Sequence, residues 1–356
     1  MPKTKTWKVA VLPGDGTGPE IMRASLKVLE AVSVKFDLDI RITKGEAGLN
    51  CIDKYGTNLP EKTVDLLKAS DCVLKGPMTT PEGAGSETSA AVKMRKMFDL
   101  YANVRPAKAL PGVECLNPKT DLIIVRENTE GMYSGLDFMA SKDTAFSVRV
   151  ITRNGSRRIG KFALELAAKR KKHLTIVHKG NILKVSDEMF KSTIMQEAVL
   201  FDAVKVDDAH VDAMSQWLIK KPETYDVIVA ENLFGDILSD ESAMIVGGVG
   251  VGPSANIGAS FALFEPIHGS APKYAGMDRA NPIATILSIK MMLEWMGYNV
   301  AANAVEKAVE KSIADGIKTP DIGGESKCSE VARHVASLLA GATHVPSGQK
   351  ARKPHK

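Results

Sequence analysis

Asp236 and Asp240 stand four residues apart in the segment Asn232-Leu-Phe-Gly-Asp-Ile-Leu-Ser-Asp240. On a helix that spacing projects both carboxylates from one face, close enough to share a single hard cation. Taken alone, such a pair is also what a solvated acidic helix face looks like. Three arginines in apolar surroundings, Arg95, Arg105 and Arg126, accompany it, and Tyr133 follows seven residues after the last of them in the run RENTEGMY. Guanidinium forks match carboxylates in pairs. The segment HGSAPKY adds a short loop suited to phosphate. A cation, three such forks and a phosphate-reading loop describe an enzyme whose substrate is a small polycarboxylate and whose second substrate is a phosphorylated cofactor.

At 356 residues the chain is long for one core and suits two modest domains. Its hydrophobic fraction of 44% with 25% charged residues is that of a soluble globular protein. Lys350, Arg352, Lys353 and Lys356 supply four of the charges behind the net +5. The body is therefore nearly neutral, without the basic face that a nucleic-acid-binding protein concentrates. Cys51, Cys72, Cys115 and Cys328 are scattered with no CxxC spacing, so neither a zinc site nor a disulfide framework is expected, and a reducing cytoplasm fits. The N-terminal residues hold no apolar signal core, and the apolar stretch over 243–264 is broken repeatedly by Gly and Pro, so no membrane span is expected.

These residues must be positioned by alternating strands and helices. A short apolar run over 8–12 ends in Pro13-Gly-Asp-Gly-Thr-Gly18, and Pro19 opens a helix with Ile21, Val28, Leu29 and Val32 at helical spacing. The glycines do not follow GxGxxG, which makes a tight turn the better account of them than a pyrophosphate cradle. Further strands are expected at 72–77, 122–125, 146–151, 174–177 and 227–229, and helices at 159–170, 187–199 and 282–296. This alternation predicts an α/β protein with a largely parallel sheet. The segment 133–153 is β-rich without a helix, and two adjacent strands there would reach toward a partner subunit.

The blocks PGDGTGPEI, KGPMTTP, DLYANVRP, RENTEGMY, HKGNILK, NLFGDILSD, GGVGVGPSANIG, FEPIHGSAPKYAG and TPDIGG follow one another in the chain. In that order they resemble the metal-dependent β-decarboxylating dehydrogenases of isocitrate, 3-isopropylmalate, homoisocitrate and tartrate. The resemblance implies the α/β fold of that family rather than a standard Rossmann fold. It also implies a large cofactor domain from 1–98 and 242–345 and a small dimerisation domain over 99–241 with a clasp at about 133–153, while the polar, basic composition of 346–356 leads us to expect a disordered tail there. Such proteins are homodimers whose active sites borrow residues from the partner.

By the same resemblance Asp236 and Asp240 bind Mg²⁺ or Mn²⁺ with Asp212 contributed across the dimer. Arg95, Arg105 and Arg126 clamp the substrate carboxylates, with Ser89 and Asn181 also at the substrate. Lys179 acts near the hydroxyl from the neighbouring subunit, and Tyr133 protonates the carbon left after decarboxylation. Thr80, His268, Gly269, Lys273, Tyr274, Asn281 and Asp321 fall at cofactor positions.

Lys273 and Tyr274 replace the acidic and small apolar residues of NAD-dependent relatives and suit a 2′-phosphate, which implies NADP, with NAD as the alternative. Pro320 and Gly324 stand where NADP enzymes of the bacterial kind carry further Tyr and Arg contacts, so incomplete discrimination is expected. For the substrate, isocitrate dehydrogenases place Ser and Asn six and four residues before the first arginine, whereas isopropylmalate dehydrogenases place apolar residues four and three before it. This chain has Ser89, then Ala91 and Val92. Lys273-Tyr274 tips the expectation to an NADP-linked isocitrate dehydrogenase forming 2-oxoglutarate and CO₂. The alternatives are a 3-isopropylmalate or homoisocitrate dehydrogenase, and a noncatalytic regulatory subunit.

Overall fold

A computed structural model describes residues 5–80, 83 and 86–341, so the tail expected over 346–356 lies outside the described residues. In chain order the elements are β1 (Trp7–Leu12), α1 (Gly18–Phe36), β2 (Ile40–Lys44), α2 (Asn50–Tyr55), α3 (Glu61–Lys68), β3 (Cys72–Lys75) and α4 (Ala90–Met97). There follow β4 (Ala102–Lys108), β5 (Asp121–Glu127), β6 (Asp137–Ser141), β7 (Thr144–Ser147), α5 (Arg153–Ala168), β8 (His173–His178), α6 (Ser186–Ala198), β9 (Lys205–His210) and α7 (Val211–Lys220). The last third comprises β10 (Val227–Ala230), α8 (Asn232–Ile245), β11 (Pro253–Ile257), β12 (Ala262–Pro266), α9 (Ile283–Trp295), α10 (Asn299–Ala314) and α11 (Cys328–Ala340).

Ten strands form one sheet in the order β2-β1-β3-β12-β11-β4-β5-β10-β8-β9. The pairs among β2, β1, β3 and β12 are parallel, as are those among β5, β10, β8 and β9. Between these wings β11 and β4 run antiparallel to their neighbours and to each other. The inner strands of the wings carry the short continuous apolar runs of strands covered on both faces. In β1, Val9 and Val11 enter the core cluster that includes Ile21 and Val28 of α1, while Ala10 and Leu12 enter a second cluster with Leu67, Met94 and Leu263.

The expected strands at 122–125, 174–177 and 227–229 are β5, β8 and β10. That at 146–151 ends at Ser147, and beyond it Val150 makes an isolated bridge to Gly131. Strands β2, β9, β11 and β12 go unread in the sequence for different reasons. The first two are edge strands with polar, largely exposed faces, IRITK and KVDDAH, which is how edges avoid pairing further. The other two are cut short by Gly and Pro. No helix among the described residues is long and apolar enough to cross a membrane.

The glycine loop at the end of β1 packs backbone on backbone. A Cβ on Gly14, which also has φ +77°, would lie 2.1 Å from the Pro77 carbonyl oxygen, and one on Gly76 would lie 2.1 Å from that of Pro13. Asp15, buried at the centre, accepts from the backbone N–H groups of Leu49 (2.9 Å), Asn50 (3.3 Å) and Thr79 (2.9 Å). The loop therefore joins three chain segments beneath the site. Gly76→Ala should destabilise the protein by about 1–3 kcal/mol through overpacking, whereas Gly269→Ala, whose Cβ meets nothing within 4 Å, should leave the thermal midpoint unchanged. Equal midpoints for wild type and Gly76→Ala in a melting experiment would contradict this packing.

Candidate active site

The acidic pair sits on α8, the helix that follows β10. Glu231 caps it, its carboxylate accepting from Leu233 N (3.2 Å) and Phe234 N (2.9 Å). Gly235 lets the helix lie directly on β5, since a Cβ there would come within 2.8 Å of the Arg126 side chain. That approach brings Asp236 against Arg126. Arg126 Nη1 donates to Asp236 Oδ1, and its Nε and Nη2 donate to Asn232 Oδ1 at 2.9 and 2.6 Å.

Arg105, from β4, donates through Nη1 to Asp236 Oδ1 (3.1 Å), Asp240 Oδ1 (3.0 Å) and Ser239 Oγ (2.8 Å). The phenol of Tyr133 donates to Asp236 Oδ2 at 2.5 Å, and the Arg126 guanidinium lies 4.9 Å from its ring centre. Burial by itself would raise the Asp236 carboxyl, but Arg126 and Arg105 outweigh it and hold the group below its usual range. Asp240 is raised, by burial first and then by the neighbouring Asp236 charge, against the pull of Arg105. Burial, together with Arg105 and Arg95, lowers Arg126 to about 10 in spite of Asp236. The Tyr133 phenol is raised by burial and by its bond to Asp236, which keeps it protonated at neutral pH.

Around this centre lies a pocket of about 500 Å³ whose lining includes Ser89, Ala91, Val92, Arg95, Arg105 and Tyr133. Arg95 projects from α4 and its Nη2 donates to Glu265 Oε1 (3.2 Å) at the end of β12. Glu265 also pairs with Lys75 Nζ (2.7 Å) and accepts from Asn256 Nδ2 (2.8 Å). Burial would raise this carboxyl, yet Lys75 and Arg95 hold it far below the ordinary range. Asn256 Oδ1 in turn accepts from Asn103 and Asn128, each at 2.9 Å, so the polar chain runs across the β11–β4 junction. Lys75 and Glu265 are site residues that the sequence reading passed over, although both lie inside the quoted blocks KGPMTTP and FEPIHGSAPKYAG.

A second cavity, of about 540 Å³, adjoins the first, and His268 and Gly269 line both. Tyr274, Asn281 and Asp321 line it too, while Thr80 faces the first pocket instead. Asn281 Nδ2 donates to Asp321 Oδ2 (3.0 Å). Lys273 places its ammonium 4.8 Å from the Tyr274 ring centre.

Three of the expected site residues stand apart from this cleft within the chain. Lys179 Nζ is bonded to Asp212 Oδ1 at 2.6 Å, and the exposed Asn181 follows on the same turn. None of them lines either cavity, and of the other expected residues Arg126, Asp236, Asp240 and Lys273 also lie outside both linings, the first three being joined to the first pocket through Arg105 and Tyr133. Among the described residues no three His, Cys, Asp or Glu side chains converge as a metal site, so one chain offers two of the expected three ligands. Those two fit a hard cation: both carboxylate oxygens reach the single nitrogen Arg105 Nη1, so one ion would reach both.

The isocitrate/isopropylmalate dehydrogenase family model matches residues 8–335. The 3-isopropylmalate/3-methylmalate dehydrogenase of Methanocaldococcus jannaschii is 45% identical over 339 residues, covering 93% of this chain and 98% of that one. The homoisocitrate dehydrogenase of the same organism is 41% identical over 345 residues, covering 93% and 97%. The crystal structure of isocitrate dehydrogenase from Methylococcus capsulatus superposes with a TM-score of 0.89 at 40% identity, over 94% of this chain and 99% of that one. The chain belongs to the isocitrate/isopropylmalate dehydrogenase family.

Proposed function

We propose that the protein oxidatively decarboxylates a malate carrying an apolar substituent at C3, with 3-isopropylmalate as the reference substrate and NADP as the electron acceptor. The observation that carries this is the turn of α4 before Arg95. Ala91 and Val92 line the pocket there, together with Met78 and Met132, and no side-chain amide stands among them. An apolar wall favours an alkyl group, whereas a third carboxylate in contact with it would lose its hydration without a partner. The name of the 45% identical relative supports the same substrate class. Isocitrate is the second reading, favoured by the Ser89 hydroxyl on the same lining and by Lys273-Tyr274.

In this reading Arg95, Arg105 and Arg126 receive the malate carboxylates as charge-assisted forks. Asp236 and Asp240 hold Mg²⁺ or Mn²⁺ with Asp212 of a second copy, and the ion supplies a lowered pKa at the substrate hydroxyl and a positive charge where negative charge develops. Lys179 from that copy assists removal of the hydroxyl proton. Tyr133, kept protonated, delivers a proton to the carbon left when CO₂ departs.

A homodimer fits the exposed apolar side chains Leu136, Phe138, Met139 and Phe146 around the β6–β7 hairpin, and the outward position of the Lys179–Asp212 pair. The division into 1–98 with 242–345 and 99–241 is proposed on the same basis as the dimer, with the β11–β4 junction as the place where the two parts meet.

With NADP and Mg²⁺ in excess, kcat/KM for 3-isopropylmalate should exceed that for D-isocitrate by about 10-fold or more, the discrimination available to one apolar pocket. Ala91→Asn should narrow or reverse the ratio, and a wild-type ratio that favours isocitrate would move the assignment to the second reading. Asp236→Asn should lower kcat by about 100-fold or more, an effect comparable to deleting one preorganised charge-stabilising group. Undiminished turnover of the wild type in chelator would remove the metal from Asp236 and Asp240. Two inactive variants, Asp236→Asn and Lys179→Ala, should regain activity when refolded together, because a mixed dimer contains one complete site. Persistent inactivity of mixed dimers isolated by orthogonal tags would refute site sharing.

A further inference from the structure

The cofactor cavity carries a cation that the motif reading did not include. Arg279 lines it, with the guanidinium 5.8 Å from the ring centre of Tyr274, while Lys273 approaches the same ring at 4.8 Å. Among the described residues no carboxylate lies within 4.0 Å of either cation, in contrast to the paired Lys75, Arg95 and Arg105 of the first pocket. The lining carboxylate, Asp321, has both oxygens engaged, Oδ1 by Thr319 Oγ1 (2.6 Å) and Oδ2 by Asn281 Nδ2 (3.0 Å). A free ribose diol asks for such an oxygen as acceptor, whereas a phosphomonoester asks for donors and positive charge.

The backbone before Arg279 is held firmly. Asp278 has a left-handed φ of +54°, donates its N–H to Glu20 Oε2 (3.1 Å), and accepts from Ser329 N (2.9 Å) and Ser329 Oγ (2.6 Å) at the start of α11. Its carbonyl accepts from Cys328 N at 2.8 Å. The loop is thereby anchored on two helices one residue before the arginine, which fixes where Arg279 leaves the backbone at the cavity rim.

We infer that Arg279 is a specificity-determining residue that, with Lys273 and Tyr274, receives the 2′-phosphate of the adenosine half of NADP. This rests on the NADP reading and deepens it. A phosphomonoester of charge near −2 beside the Tyr274 ring would meet Arg279 from the cavity lining, Lys273 from the same ring outside that lining, and one phenol hydroxyl.

The test is calorimetric binding of NADP, NAD, 2′,5′-ADP and 5′-AMP to the full-length wild type, Arg279→Ala, Arg279→Lys and Lys273→Ala, without substrate. Arg279→Ala should weaken NADP and 2′,5′-ADP by about 10-fold or more, the loss expected for a hydrogen bond to a charged group, leaving NAD and 5′-AMP within about twofold. Arg279→Lys should recover part of the loss. Unchanged 2′,5′-ADP affinity in Arg279→Ala, with a loss in Lys273→Ala, would overturn the role of Arg279 and leave the NADP reading standing. An equal loss for NADP and NAD would also overturn it, since the arginine would then serve the shared part of the dinucleotide. Wild-type protein that binds 5′-AMP as tightly as 2′,5′-ADP would overturn the NADP reading itself.

Discussion

The cleft depends on the neutralisation of buried guanidinium groups. Arg126 is 1% exposed and Arg105 is 9% exposed, and an unpaired charge at such depth would be strongly unfavourable. In the chain by itself the balance is met by Asp236 and Asp240 on one side and by Glu265 on the other. The arginines therefore rest on two of the carboxylates that the proposed cation would use. In the proposed reading, a bound dicarboxylate would give the arginines new partners and would leave Asp236 and Asp240 free to hold the ion. In that reading substrate and cation would be coupled through a shared set of charges, each relieving the penalty that binding of the other alone would leave.

The architecture serves that balance. Arg105 and Arg126 come from neighbouring antiparallel strands, β4 and β5, whereas the acidic residues come from the helix that packs on them. Arg95 and Glu265 come from the other side of the β11–β4 junction, where only three residue pairs are in register. The junction is narrow but not apolar. Asn103, Asn128 and Asn256 carry hydrogen bonds across it to Glu265, all of them buried. A polar chain of this kind is satisfied in one alignment of the two wings, which keeps Arg95 in register with Arg105 and Arg126 across the cleft.

The parts of the fold legible in the sequence were those governed by local pattern. The apolar runs of β1, β5, β8 and β10 announce buried strands, and the spacing of Ile21, Val28, Leu29 and Val32 announces α1. Edge strands β2 and β9 have no such run, because their burial is slight and their charges serve to keep the edges unpaired. In the site, the i, i+4 spacing of Asp236 and Asp240 was readable as one helix face, and the structure brings both to Arg105. Lys75 and Glu265 were not readable in the same way: a lysine at a strand end and a glutamate before a proline look like surface residues, and only the three-dimensional pairing of β3 with β12 makes them partners. Arg279 was hidden for a related reason, since its direction is set by Asp278 and α11 rather than by its neighbours in HGSAPKYAG.

Substrate identity resists a sequence reading because the machinery and the discrimination are separate. In the proposed function Asp236, Asp240, the three arginines and Tyr133 act on the malate core, which isopropylmalate, homoisocitrate and isocitrate have in common. What differs is one substituent, which in this reading meets a single turn of α4, where Ser89, Ala91 and Val92 line the same pocket. An apolar contact of this size discriminates by only about 1–3 kcal/mol. The relatives bear alkylmalate, homoisocitrate and isocitrate names at comparable identity to this chain, so overall identity does not choose among the three. The side chains on that turn consequently weigh more than global similarity, and at two of the three positions they are apolar.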